Sequence, residues 1–282
     1  MSTEQTSQSI SEVIIKAADD ISRDGYARVL LDPAQTAVNT RALKVAEEFF
    51  AKPVDEKLSH QNLESNSNYG YRPIGVEYSA TPDRIDLNDS FNMWSDRLDL
   101  IPGSENLPDL TAALLDWRDL SLDFVSGVLA ELARRYGAPK APAVSAASNV
   151  QVNSYFDSTN ERDLLQDKHE DGHLLTVIHG TAPGLEIFID GEASSGMTDE
   201  NEIIIMPGSL LTRISGGDIP PLYHQVRNLN LDHRMAIMYF ANPELTEPVL
   251  TWKDAPGQEQ EDLRDMARRN PLPFGLKALE VL

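Results

Sequence analysis

The sequence predicts an α+β protein in which helices pack on a β core of sandwich or barrel texture. Three observations predict it: helical apolar spacing dominates the first half, short β-branched runs fill residues 149–242, and no linker separates the halves. A chain of 282 residues, 41% of them hydrophobic, can fill a sizeable core, which excludes disorder as its main state.

Residues 1–10 read as a polar tail. Val13, Ile14, Ala17, Ala18 and Ile21 then recur at helical spacing, and Gly25 closes that helix. A strand over YARVLL follows. Val38, Ala42, Val45, Ala46, Phe49 and Phe50 make a second helical face, and Pro53 opens a short helix, PVDEKL, with its acids in the favourable first turn. From Leu58 to Pro102 the chain is irregular and rich in Asn, Ser, Gly, Tyr and Pro, the texture of an ordered, functional segment. Leu110, Leu114, Trp117, Leu120, Phe124, Val125, Val128 and Leu132 fit one long helix from about Pro108 to Tyr136, ended by Gly137 and Pro139. The runs NVQVNSYF, HLLTVIHG, LEIFID, EIIIMPG, LLTRIS and HRMAIMYF, punctuated by Gly, Pro, Asp and Asn, give the β texture. A helix over Gln258–Arg269 and a proline-broken tail follow. The expected division is a tail (1–10) and one domain (11–282), made of a mainly helical region (11–145), a β core (146–245) and a C-terminal extension (246–282).

Charge and composition narrow the function. Lys+Arg 24 against Asp+Glu 45 leaves a net charge of −21, which repels phosphate backbones and anionic bilayers, so nucleic acid and membrane are not expected partners. Zero cysteines exclude disulfides, thiolate nucleophiles and Cys-held zinc or iron–sulfur centres. Any metal falls to carboxylates, carbonyls and six histidines. The N-terminus lacks a basic, apolar secretory signal and no apolar run reaches the length of a membrane span, so a cytoplasmic protein is expected.

His169-Glu170-Asp171-Gly172-His173 admits two metal readings. On a helix, HExxH puts His169 and His173 on one face for zinc, with Glu170 as base and His179 at a third-ligand position; this is the zinc peptidase reading. On a strand, His169 and Asp171 share a face and need a third ligand from elsewhere. The motif contains Gly172 and runs into the β-branched LLTVIHG, which favours the strand, and the histidines at later strand starts that could supply the third ligand are His224 and, beside Arg234, His233. On neighbouring runs Gln151, Asn153 and Tyr155 alternate with Val150 and Val152, while Arg234 shares a face with Ala236, Met238 and Phe240. A buried Arg on such a face calls for a carboxylate partner.

With these residues collected, the chain resembles the isopenicillin N synthase-like family of non-haem Fe(II)/2-oxoglutarate-dependent oxygenases. GYARVLL, AEEFFAKPVDEKL and YGYRPIGVEY are similar to the family's N-terminal region, and NSYF, HEDGHLLTVI, PGLEIF, SGGDIPPLYHQV and HRMAIMYFANP to its catalytic core, in family order. The spacings, 52 residues between Asp171 and His224 and nine between His224 and Arg234, are usual for it. The resemblance implies a double-stranded β-helix, or jelly roll, holding iron on His169, Asp171 and His224, the facial set that suits Fe(II) and leaves positions open. It implies 2-oxoglutarate and O2 as cosubstrates, with Arg234 on the distal carboxylate, Tyr155 donating to it and Asn153 nearby, and a small-molecule substrate oxidised as succinate and carbon dioxide are released. Asp171 favours hydroxylation, desaturation or oxidative cyclisation over halogenation, for which related enzymes carry Gly or Ala there.

One departure stands out. The family's R-x-S is here Arg234-Met235-Ala236, so a serine hydroxyl is missing; Thr176, Thr212 or a water are the candidate replacements, and a 2-oxoglutarate-independent iron oxidase is the alternative. By the family's pattern, Tyr69, Tyr71, Arg84, Asn92, Trp94 and Phe240 are the candidate substrate residues. Outside the family, the zinc peptidase and a non-catalytic jelly-roll binding protein remain as rivals.

Overall fold

The computed structural model describes residues 9–63, 69–94, 97–156, 162–254 and 260–269. The tail up to residue 8 and the proline-broken tail from residue 270 lie outside them. The first half supplies helices α1 (Ile10–Asp24), α2 (Pro33–Phe50), α3 (Val54–Leu58) and α4 (Pro108–Arg135), with strands β1 (Ala27–Leu30), β2 (Gly70–Arg72) and β3 (Asp89–Trp94) between them. The start of α1 is a capping box, Ser9 accepting from the Glu12 amide while the Glu12 carboxylate takes the Ser9 N–H. Gly25, at φ 81°, ends the helix. Asp32 and Gln35 cap α2 in the same way.

Strands β4 (Asn149–Phe156), β5 (Leu164–His169), β6 (Leu175–Gly180), β7 (Leu185–Ile189), β8 (Glu192–Ser195), β9 (Glu202–Pro207), β10 (Tyr223–Arg227) and β11 (His233–Ala241) complete two antiparallel sheets. The larger has the order β1-β9-β6-β11-β4-β3-β2 and the smaller β5-β10-β7-β8. Period-two alternation divides the larger sheet's residues between two cores. Val150, Val152, Val177, Ile203, Ile205, Met235, Ile237 and Tyr239 pack outward against α1, α2 and α4, where Ala18, Ala46, Phe49, Leu114, Trp117 and Phe124 meet them. Each fully buried Val, Leu, Ile, Met or Phe among them contributes roughly 1.5–3 kcal/mol by leaving water. Ile178, Ile204, Met206, Ala236 and Met238 face inward and share a smaller core with Leu165, Leu185, Ile187, Leu222 and Val226 of the opposing sheet. The two sheets thus face each other as a jelly roll, and the helices clothe one outer face.

Several expectations change. LLTRIS is a helix, α5 (Ser209–Ile214), because the Pro207-Gly208 corner ends β9 and Leu210, Leu211 and Ile214 bury one helical side. A short apolar run fits either period. The last helix, α6 (Leu263–Arg269), begins later than Gln258, since residues 260–262 are extended against Thr251 and Leu250. Strands β2 and β8 arise from GYR and EASS, which carry no apolar alternation. No helix among the described residues is long and apolar enough to cross a membrane.

Candidate active site

Antiparallel pairing of β5 with β10 sets His169 directly across from His224, their ring centroids 4.3 Å apart. Each ring contacts a backbone carbonyl two residues back through Nδ1, His169 with Asp167 at 2.7 Å and His224 with Leu222 at 3.2 Å. A carbonyl only accepts, so each Nδ1 carries the proton and each Nε2 offers a lone pair. Those Nε2 atoms lie 3.8 and 3.9 Å from Asp171 Oδ1, and one ligand atom from each of the three residues falls within 4.8 Å of the others. Thr176 donates to Asp171 Oδ2 at 2.6 Å, which leaves Oδ1 for the common point.

Asp171 stands beyond the end of β5, not on the strand as the H-x-D reading had it. Residues 171–174 bend back toward β6, and α5 holds them: the amides of Gly208, Ser209 and Leu210 bond the carbonyls of Leu174, Asp171 and His173 at 3.1, 2.9 and 3.2 Å. A Cβ on Gly208 would sit 2.2 Å from the His173 oxygen, so only glycine permits this approach. The HExxH reading fails here because 169–173 is not helical; His173 instead contacts Asn242 Oδ1 at 2.9 Å and lies against Phe240.

Electrostatics favour the metal-binding protonation states of His224 and Asp171. Burial pushes His224 down to about 4, reinforced by neighbouring His169, so its imidazole is neutral. Burial by itself would raise the Asp171 carboxyl, but His224, His169, His173 and the Thr176 hydroxyl outweigh it and hold it below its ordinary range.

Arg234 enters the same pocket from β11, opposite Tyr155 of β4. It is 2% exposed, its guanidinium lies 4.8 Å from the Tyr155 ring centroid, and none of its three guanidinium nitrogens has a hydrogen-bond partner among the described residues. Gly180 and Gly184 make room, since a Cβ on either would come within 3.4 Å of the guanidinium. Beside it runs a polar chain: Gln151 donates to Asn153 at 2.8 Å, Asn153 to the Tyr155 oxygen at 3.3 Å, and Tyr155 to Gln166 Oε1 at 2.7 Å. Gln166 then donates to Asp86 at 3.3 Å, and at the other end Gln151 donates to Glu77 at 3.3 Å. Tyr155's proton is therefore directed to Gln166, where the resemblance had it on a cosubstrate carboxylate.

The candidate substrate residues divide. Register places Asn92 and Trp94 on the inner face beside Gln151 and Asn149, Phe240 lines the pocket, and Tyr69 lies edge-on to Trp94 at 6.2 Å. Tyr71 pairs with Phe91, so its ring faces the helices against Phe49 and its hydroxyl donates to Asp89. It is a packing residue. Arg84 is clamped on Asp167, Nη2 to Oδ1 at 2.7 Å, and does not line the pocket. Gly208 and Gln166 went unnoticed in the sequence; the Pro-Gly corner was the one signal for the first, and the second had none. A more spacious cleft lies between 137–143 and 244–252, but no described group of metal-ligating residues lines it.

Residues 147–243 match the family model of the 2OG-Fe(II) oxygenase superfamily, a stretch holding the triad and Arg234. The fold is that of such enzymes. A full-length Neurospora crassa protein in complex with alpha-KG superposes with a TM-score of 0.72 at 18% identity, over 89% of this chain and 87% of that one. The dioxygenase for auxin oxidation from rice gives 0.68 at 18% identity, over 96% and 93%. No curated protein matches by sequence. The family match covers the β core with the triad and Arg234, and the structural likenesses extend the fold of such oxygenases over most of the chain.

Proposed function

We propose that this enzyme is a dioxygenase of the isopenicillin N synthase-like kind that oxidises a small organic metabolite by hydroxylation, desaturation or oxidative cyclisation, releasing succinate and carbon dioxide. His169, Asp171 and His224 hold the iron, and Arg234 holds the distal carboxylate of 2-oxoglutarate. One observation carries the reading: a buried guanidinium with no hydrogen-bond partner among the described residues shares a pocket with three convergent metal-ligating side chains. An unpaired buried cation is costly, and a bidentate carboxylate is the partner that removes the cost. When bound, the iron and cosubstrate supply dioxygen chemistry that oxidises a substrate C–H bond. The chain's own part is to present two imidazole Nε2 atoms and one Asp171 oxygen, and to line the pocket with Ile178, Leu185, Met206 and Met238.

For the substrate, Phe240 offers a ring surface in the pocket, and Trp94 stands farther along the same inner sheet face. Asn92 Oδ1, Trp94 Nε1 and Asn242 Nδ2 are buried polar atoms with no partner among the described residues. A small molecule with an apolar or ring body and a few neutral hydrogen-bonding groups suits such a wall. Small-molecule complexes among structural neighbours, thymine with the Neurospora crassa protein and JA with JOX2, accord with that scale.

The test is anaerobic addition of Fe(II) and then 2-oxoglutarate to metal-free protein. The expected result is a weak visible charge-transfer band of the chelate that His224→Ala abolishes. Iron binding with no band would replace this reading by the cosubstrate-independent oxidase.

A further inference from the structure

We propose that Gln166 donates the second neutral hydrogen bond to the carboxylate on Arg234, in the place where the family keeps a serine and this chain has Ala236. The inference rests on the function proposed above. The two threonines that were candidates to replace that serine are committed elsewhere: Thr176 Oγ1 donates to Asp171, and Thr212 Oγ1 donates to the Gly208 carbonyl within α5 and does not line the pocket. Of the pocket's neutral donors near Arg234, Tyr155 has a single proton, given to Gln166, while Asn153 gives one of its two amide hydrogens to Tyr155 and accepts from Gln151 at its oxygen.

Gln166 differs from Asn153 in entering the pocket from β5, the strand of His169, rather than from β4 beside Tyr155. Its register with β10 shifts between His224↔His169 and Val226↔Gln166, an irregularity that lets Gln166 as well as His169 reach the pocket from one short strand. Its Oε1 is held by Tyr155 and one N–H of Nε2 by Asp86, which Ser79 fixes through its hydroxyl at 2.7 Å and its amide at 3.1 Å. Nε2 carries two hydrogens, and the second is given to no described residue. An amide that accepts a strong hydrogen bond at its oxygen is polarised to donate more strongly from its nitrogen. The side chain is thus oriented at both ends, lines the same pocket as Arg234, and has one donor in hand.

The experiment is anaerobic equilibrium titration of the Fe(II) protein with 2-oxoglutarate and, separately, with pyruvate, a 2-keto acid that lacks the distal carboxylate. Gln166→Leu should weaken 2-oxoglutarate about tenfold or more. Its affinity for pyruvate should stay that of the wild type. Adding Ala236→Ser to that variant should return most of the lost affinity, which a merely structural role for Gln166 would not allow. Unchanged 2-oxoglutarate affinity in Gln166→Leu, or equal losses for the two acids, overturns the assignment while leaving the proposed function standing. A wild-type protein that forms no chelate with either acid overturns both.

Discussion

The two faces of the larger sheet obey opposite rules although the same strands carry them. Outward, Val150, Val152, Met235, Ile237 and Tyr239 meet the helices in an apolar layer. Inward, one residue away in each case, stand Gln151, Asn153 and Tyr155, linked into a polar chain, with Ala236 and with Arg234, whose guanidinium bonds no described residue. The outer face stabilises by burial. The inner face contains a buried cation that opposes folding until a ligand arrives, a departure from consistent packing of the kind expected at functional sites. Substitutions on one face should therefore change stability and spare chemistry, and those on the other should do the reverse.

The largest effect expected is on the inner side. His224→Ala should abolish iron binding and turnover without lowering the unfolding midpoint of the metal-free protein, because the imidazole it removes is buried with only one backbone hydrogen bond. Thermal unfolding and iron titration of that variant measure both halves; a variant that kept its iron would dissolve the triad. On the outer side, Ile237→Ala should cost about 2–5 kcal/mol in denaturant unfolding, the usual range for emptying a fully buried site. Turnover per folded molecule should hold. If turnover fell with stability, the two faces would be coupled and the comparison would fail.

Arg234→Met sharpens the contrast because it should act in both directions. Exchanging an unpaired buried guanidinium for an apolar side chain of similar length should raise the stability of the cosubstrate-free protein by about 1–4 kcal/mol. It should also weaken 2-oxoglutarate binding. Chemical denaturation with and without the cosubstrate separates the effects, and a destabilised variant would mean that Arg234 has a structural role.

Much of this division was legible in the sequence because period two is a strong signal when one face is apolar. Val150/Gln151/Val152/Asn153 and Arg234/Met235/Ala236/Ile237 announced their two faces directly. His169, Asp171 and His224, drawn from segments 53 residues apart, converge on one point. What escaped notice depends on register or on backbone approach, which a single sequence does not encode. Tyr71 sits on the helix side because it pairs with Phe91, a parity that three residues of GYR do not declare. Gln166 turns inward through a register shift in β5, and LLTRIS is helical because a Pro-Gly corner precedes it.

The smallest expected effect tests the junction between the two regions. Helix α5 buries Leu210 and Leu211 in the outer core while its first amides hold the loop that carries Asp171. Gly208→Ala would bring a methyl group to 2.2 Å from the His173 oxygen and 2.6 Å from the Asp171 oxygen, so the loop must move away from α5. Asp171 then loses its alignment with the two imidazoles though none of the three ligands has been altered. Loss of an orienting contact of this kind typically costs a metal site about 10–100-fold in affinity. Iron titration of Gly208→Ala should show a loss in that range, with the outer core intact by near-ultraviolet circular dichroism. Wild-type iron affinity would mean that the loop is positioned by Thr176 and β6 alone. A collapse of both iron binding and the near-ultraviolet signal would instead make α5 part of the stabilising layer rather than the bridge between the two faces.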